Sequence, residues 1–154
     1  IVDDFVDLAL AVEADGVHIG QSDLPPQAVR RLLGNNMVIG LSTHEPSELM
    51  AANALSGIVD YFGAGPVFAT NTKKDAASAT GLTYIEYAAA AAKCPFVAIG
   101  GIKEHNIATV GQAGADMAAV VSDITGAVDI GVKIKALTEN IKSGIERRKK
   151  ICQP

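Results

Sequence analysis

Short apolar runs recur along the chain, each closed by Gly or Ser and followed by a stretch of helical length. They occupy 17–20 (VHIG), 38–42 (VIGLS), 61–65 (YFGAG), 96–101 (FVAIGG) and 118–122 (AAVVS). Brief continuous runs of this kind predict strands buried on both faces, as in a parallel sheet. Between them, amphipathic or alanine-rich segments predict helices over 27–33, 45–54, 82–93, 103–113 and 128–142, with another over 6–13. Strand and helix in alternation give an α/β fold. No G-x-G-x-x-G follows a strand, which disfavours an open dinucleotide-binding sheet and leaves the (β/α)8 TIM barrel as the preferred architecture. Eight such units need about 200 residues at least, and the chain has 154. Five strands, plus the exit of a sixth at 1–3, predict an incomplete barrel. It holds the last five to six βα units as one domain over 1–154, and its N-terminal strands are expected to be missing.

Composition narrows the function classes. Hydrophobic residues at 49% exclude intrinsic disorder. Thirteen Lys and Arg against 17 Asp and Glu give a net charge of -4, so neither nucleic acid nor an anionic membrane is an expected partner. No apolar run approaches the ~20 residues of a membrane span. Cys94 and Cys152 have no metal or disulfide-framework spacing, which fits reduced thiols in a cytoplasmic protein. Asp15, Asp60 and Asp116 each lie just before a strand and read as turn or cap residues at the strand feet. The basic tail at 146–150 reads as a solvated helix end, where cations suit the dipole.

In barrels of this type the chemistry sits at the C-terminal ends of the strands. Asp4 and Asp23 follow neighbouring strands. Two such carboxylates suit Mg2+ shared with substrate phosphates, or equally serve as helix N-caps. The segment Thr70-Asn71-Thr72-Lys73 combines hydroxyls, an amide and a cation; it fits a phosphate or diphosphate, as it fits a polar surface loop. Gly100-Gly101 and Val121-Ser122 end the last two strands, where backbone donors commonly take a phosphate. His18 reads as a packed, hydrogen-bonded residue and His105 as a surface one. His44 stands at the functional end without an acid or nucleophile partner in sequence, so no triad is expected.

The runs VDDFVDLALAVEADGVHIGQSDLP, GLSTH, DYFGAGPVFATNTKKDA, VAIGGI and AAVVSDI closely resemble the thiamine-phosphate synthase family, in order and spacing over nearly the whole chain. The resemblance implies a barrel transferase of thiamine biosynthesis. Its small-molecule substrates are 4-amino-5-hydroxymethyl-2-methylpyrimidine diphosphate and 4-methyl-5-(2-hydroxyethyl)thiazole phosphate, and its products are thiamine monophosphate and diphosphate. By motif, Asp4 and Asp23 match the Mg2+ carboxylates, and Ser42 and Lys73 match the contacts to the pyrimidine diphosphate, the expected catalytic pair. Thr70, Asn71 and Thr72 match the thiazole-phosphate loop, with Gly101, Val121 and Ser122 as its remaining phosphate contacts. Asp3 stands where many members place an Asn on the pyrimidine. Asp123 stands where many carry Ala, and is expected to point away from the phosphate. The family's Q-x-R-x-K segment has no counterpart in the chain. Two other readings remain: a thiazole tautomerase-like paralogue, which moves a proton and needs no diphosphate metal site, and a non-catalytic phosphate-binding fragment whose exposed sheet edges associate with another copy.

Overall fold

The computed structural model describes residues 1–72 and 77–151. Its core is a six-stranded parallel sheet of β1 (Val2–Asp3), β2 (Gly16–Ile19), β3 (Val38–Thr43), β4 (Tyr61–Ala64), β5 (Phe96–Ile99) and β6 (Ala118–Ala119). The spatial order β1-β2-β3-β4-β5-β6 repeats the chain order. A doubly wound sheet reverses order at a switch point; this one does not, and its strands follow one another as staves of a barrel do. The helices are α1 (Val6–Ala11), α2 (Pro26–Leu33), α3 (Pro46–Asn53), α4 (Gly81–Ala91), α5 (Ile107–Ala113), α6 (Ser122–Thr125) and α7 (Ile130–Ile151). Among the described residues no helix is long and apolar enough to cross a membrane.

Alternation along each strand sorts the side chains. Val17, Ile19, Ile39, Leu41, Phe62, Ala64 and Ala98 are buried against the helices. There they meet Val29, Leu49, Ile85, Ala88 and Val110, all fully buried. The opposite, inner face carries His18, Ser42, Tyr61 and the glycines between them. At the strand feet, Asp60 Oδ2 accepts the Ile39 N–H (2.8 Å) and pairs with Arg30 Nη2 (2.7 Å). Asp116 pairs with Arg148 at 2.7 Å. Both aspartates are structural, as their position before the strands suggests.

Three boundaries depart from the pattern. Helix α5 begins at Ile107 rather than 103, because Asn106 Oδ1 takes the Lys103 N–H at 2.7 Å and closes a turn first. The run at 118–122 is a strand for only two residues, and Ser122 opens the short helix α6. Helix α7 extends to Ile151 and takes the basic segment into its last turns.

Candidate active site

A cavity of about 980 Å³ opens at the C-terminal ends of the strands, large enough for a cofactor-sized ligand or two small ones. On its β1–β2 side stand Asp3, Asp4 and Asp23. Neither Asp4 nor Asp23 is a helix N-cap: those positions belong to Phe5 and Pro25. Asp4 adopts a left-handed φ of 64°, a conformation Asp tolerates better than most residues, and its N–H bonds His18 O at 2.8 Å. Asp23 Oδ2 accepts the Gly20 N–H at 2.6 Å, which fixes the carboxylate at the mouth of β2. Among the described residues no three His, Cys, Asp or Glu side chains gather as a metal cage. Hard carboxylate oxygens open to a ligand cavity instead fit Mg2+, which prefers one or two carboxylates with substrate oxygens and water.

Ser42 lines the cavity from the end of β3. Its Oγ is 2.9 Å from His18 Nε2, and His18 Nδ1 is 2.9 Å from Tyr61 Oη. Burial, then the charge of Asp3, holds the Tyr61 phenol above its ordinary pKa. His44 Nδ1 lies 2.6 Å from Gly65 O. A carbonyl only accepts, so this nitrogen carries the proton. The histidine ring thus has a partner in space that its sequence neighbourhood did not supply, and among the described residues no acid side chain bonds it.

The opposite wall is mostly backbone. Val67 N–H bonds Ile99 O (2.9 Å) and Phe68 N–H bonds Gly100 O (3.0 Å), while Thr80 N–H returns to Pro66 O (2.8 Å). Both ends of the segment after β4 are therefore tied down. Gly101 has a φ of 62°, and a Cβ there would lie 2.6 Å from Ala69 O; only glycine lets the two turns meet. Thr70 and Thr72 line the cavity beside this junction, as do Val121 and Ser122. Asn71 is exposed and is not part of the wall. Lys73 lies outside the described residues. Asp123 turns away from the cavity, its Oδ2 accepting the Glu104 N–H at 2.9 Å and facing Lys133 Nζ at 3.5 Å.

Of the expected site residues, nine share this cavity: Asp3, Asp4, Asp23, Ser42, Thr70, Thr72, Gly101, Val121 and Ser122. Tyr61 and Gln21 also line it and were not singled out in the sequence. The signal available for Tyr61 was its inward phase in β4, opposite to that of the buried Phe62.

The family model described as thiamine monophosphate synthase matches residues 1–124. A thiamine-phosphate synthase of Pelotomaculum thermopropionicum is 56% identical over 137 residues, which is 89% of this chain and 62% of that protein. One from Lawsonia intracellularis is 46% identical over 141 residues, 92% and 64% of the two chains. The chain thus spans under two thirds of the length of these relatives. The solved thiamine phosphate pyrophosphorylase from Pyrococcus furiosus superposes with a TM-score of 0.80 at 36% identity, over 93% of this chain and 67% of that one.

Proposed function

Because the chain belongs to the thiamine monophosphate synthase family, we propose that it carries the site which joins the pyrimidine diphosphate to the thiazole phosphate and releases diphosphate. The observation that carries this is one cavity with Asp3, Asp4 and Asp23 on one side and Thr70, Thr72, Gly101 and Ser122 on the other. Two anionic substrates need such a divided site, and a proton-transfer enzyme does not need the carboxylate wall. In this reading the six strands belong to a (β/α)8 barrel.

Asp4 and Asp23 would hold Mg2+, which when bound neutralises charge on the leaving diphosphate. Ser42 donates a hydrogen bond to that diphosphate, and Lys73, carried by the family resemblance alone, adds a positive charge. The bond between the pyrimidine methylene and the diphosphate oxygen breaks, and its electron pair leaves with the diphosphate. The thiazole nitrogen lone pair then forms the new C–N bond to the cationic methylene. No net proton transfer occurs, so a catalytic triad has no task here. The work is electrostatic stabilisation and alignment. Thr70, Thr72, Gly101 and Ser122 fix the thiazole phosphate, and Asn71 extends that loop.

Thiamine monophosphate formation from both substrates, with and without Mg2+, tests the reading. Product that requires the metal is the expected result. Lys73→Ala is expected to lower turnover by about 10²-fold or more, the effect of losing one preorganised electrostatic contact. A folded chain that releases no diphosphate but isomerises the thiazole phosphate would assign the site to a tautomerase instead.

A further inference from the structure

Asp3, His18, Gly40 and Tyr61 occupy one register row across β1, β2, β3 and β4. His18 and Tyr61 are thus two strands apart, with Gly40 between them. A Cβ at Gly40 would lie 2.3 Å from His18 Nδ1 and 2.3 Å from the Tyr61 ring, so the two side chains reach each other only because this position is glycine. Two residues further along β4, on the same face, a Cβ at Gly63 would sit 3.1 Å from His18 Cε1. Glycine inside a strand weakens it. Two of them here clear a seat for one imidazole on the inner face, beside Ser42.

We propose that His18 is a positioning residue that sets the direction of the Ser42 hydroxyl: Tyr61 O–H donates to Nδ1, Nε2–H donates to Ser42 Oγ, and the Ser42 proton is left to donate to the substrate diphosphate. The neutral imidazole has one donor and one acceptor nitrogen, so the three groups have two possible polarities. In the reverse one, Ser42 gives its proton to Nε2 and presents only lone pairs to an anion. Tyr61 is able to donate because burial and Asp3 both oppose its ionisation, and an anion seated against Ser42 selects the polarity in which the serine proton is left to meet it. This inference rests on the synthase reading for the identity of the anion.

Two measurements on the full chain test it. Imidazole nitrogen NMR, with the His18 signals identified by their loss in His18→Gln, is expected to show a protonated Nε2 and a bare Nδ1. A protonated Nδ1 overturns the relay whether or not the chain is a synthase. Calorimetric titration with inorganic diphosphate and Mg2+ reads the consequence. His18→Ala is expected to weaken binding about 10-fold, the loss of a charge-assisted hydrogen bond. The double variant His18→Ala/Ser42→Ala is expected to bind no more weakly than Ser42→Ala alone. His18→Gln, which keeps an N–H at about the same reach, is expected to recover most of the affinity. Full additivity in the double variant, or no recovery by Gln in a folded protein, overturns the proposal. Wild-type protein that binds no diphosphate overturns the synthase reading and the relay's role with it.

Discussion

Among the described residues the buried Tyr84 hydroxyl has no hydrogen-bond partner, and burial pushes its pKa up to about 12. The nearby Thr43 hydroxyl opposes this by less; its proton goes to Gly63 O at 2.9 Å. An unpaired buried hydroxyl costs stability, so Tyr84→Phe is expected to raise unfolding free energy by about 1 kcal/mol in urea titrations at neutral pH. The same residue predicts an alkaline limb. Below pH 10 the phenol is neutral in both states and its contribution is constant. Between 10 and about 12 the unfolded chain loses the proton while the folded one keeps it, so stability falls through that window. The Phe variant should lose less over it, and equal losses would refute the assignment. At this scale the sequence exposed the strand-end residues well: Asp4, Asp23, Ser42 and Ser122 fall at the cavity because strand ends could be read directly. The His18–Tyr61 pair was hidden, since it depends on register across three strands, and register is not written locally. The helix N-cap alternative for the two aspartates fails for a similar reason. Phe5 and Pro25 hold the cap positions, and each cap lies one or two residues beyond its aspartate.

Element by element, the apolar runs located β2 to β6, because the face of each strand turned to the helices is apolar even where the inner face carries His18, Ser42 or Tyr61. Strand β1 was legible only as a strand exit. Helix ends were less legible. Asx turns such as that of Asn106 compete with the first helical turn, and α6 is too short for periodicity to reveal. The packing of α5 on α7 was not legible at all. It relies on glycine at the contact: a Cβ on Gly144 would lie 2.0 Å from Ala108 O, and one on Gly111 2.7 Å from Ile141 O. Ala at 144 would therefore push two backbones apart. Helix propensity alone favours Ala over Gly by about 1 kcal/mol, yet Gly144→Ala is expected to destabilise by about 1–3 kcal/mol through overpacking. Gly131, in the same helix, has only a 3.4 Å approach to Asp129 Oδ1. Its Ala variant is expected to be neutral or stabilising. Chemical denaturation of the two variants side by side checks the contrast; similar midpoints for both would show that the helices can shift freely.

For the molecule as a whole, exposed area is informative. A compact monomer of 15.9 kDa exposes about 7,400 Å², whereas this chain exposes 8807 Å². Apolar side chains contribute at both lateral margins of the sheet. Phe5, Leu8 and Val12 are 63%, 48% and 58% exposed beside β1, and Val121, Val128, Ile130 and Ile134 are exposed beyond β6. Edges and apolar strips of this sort invite association. Residues 1–154 alone are expected to sediment above monomer mass, increasingly so with concentration, and Leu8→Glu with Ile130→Glu should reduce it. A monomer at every concentration would count against that expectation.

The segment after β4 and the Gly100-Gly101 turn are held by each other's backbone. A ligand seated at their junction would consequently act on the sheet as a clasp does on two separate straps. Its binding energy would be shared with the pairing of β4 and β5, and separating those strands would first require its release. Occupancy at 100 times the dissociation constant would add about 2.7 kcal/mol to global stability. For a sheet flanked by exposed apolar strips, ligand supply would then govern how long the fold survives.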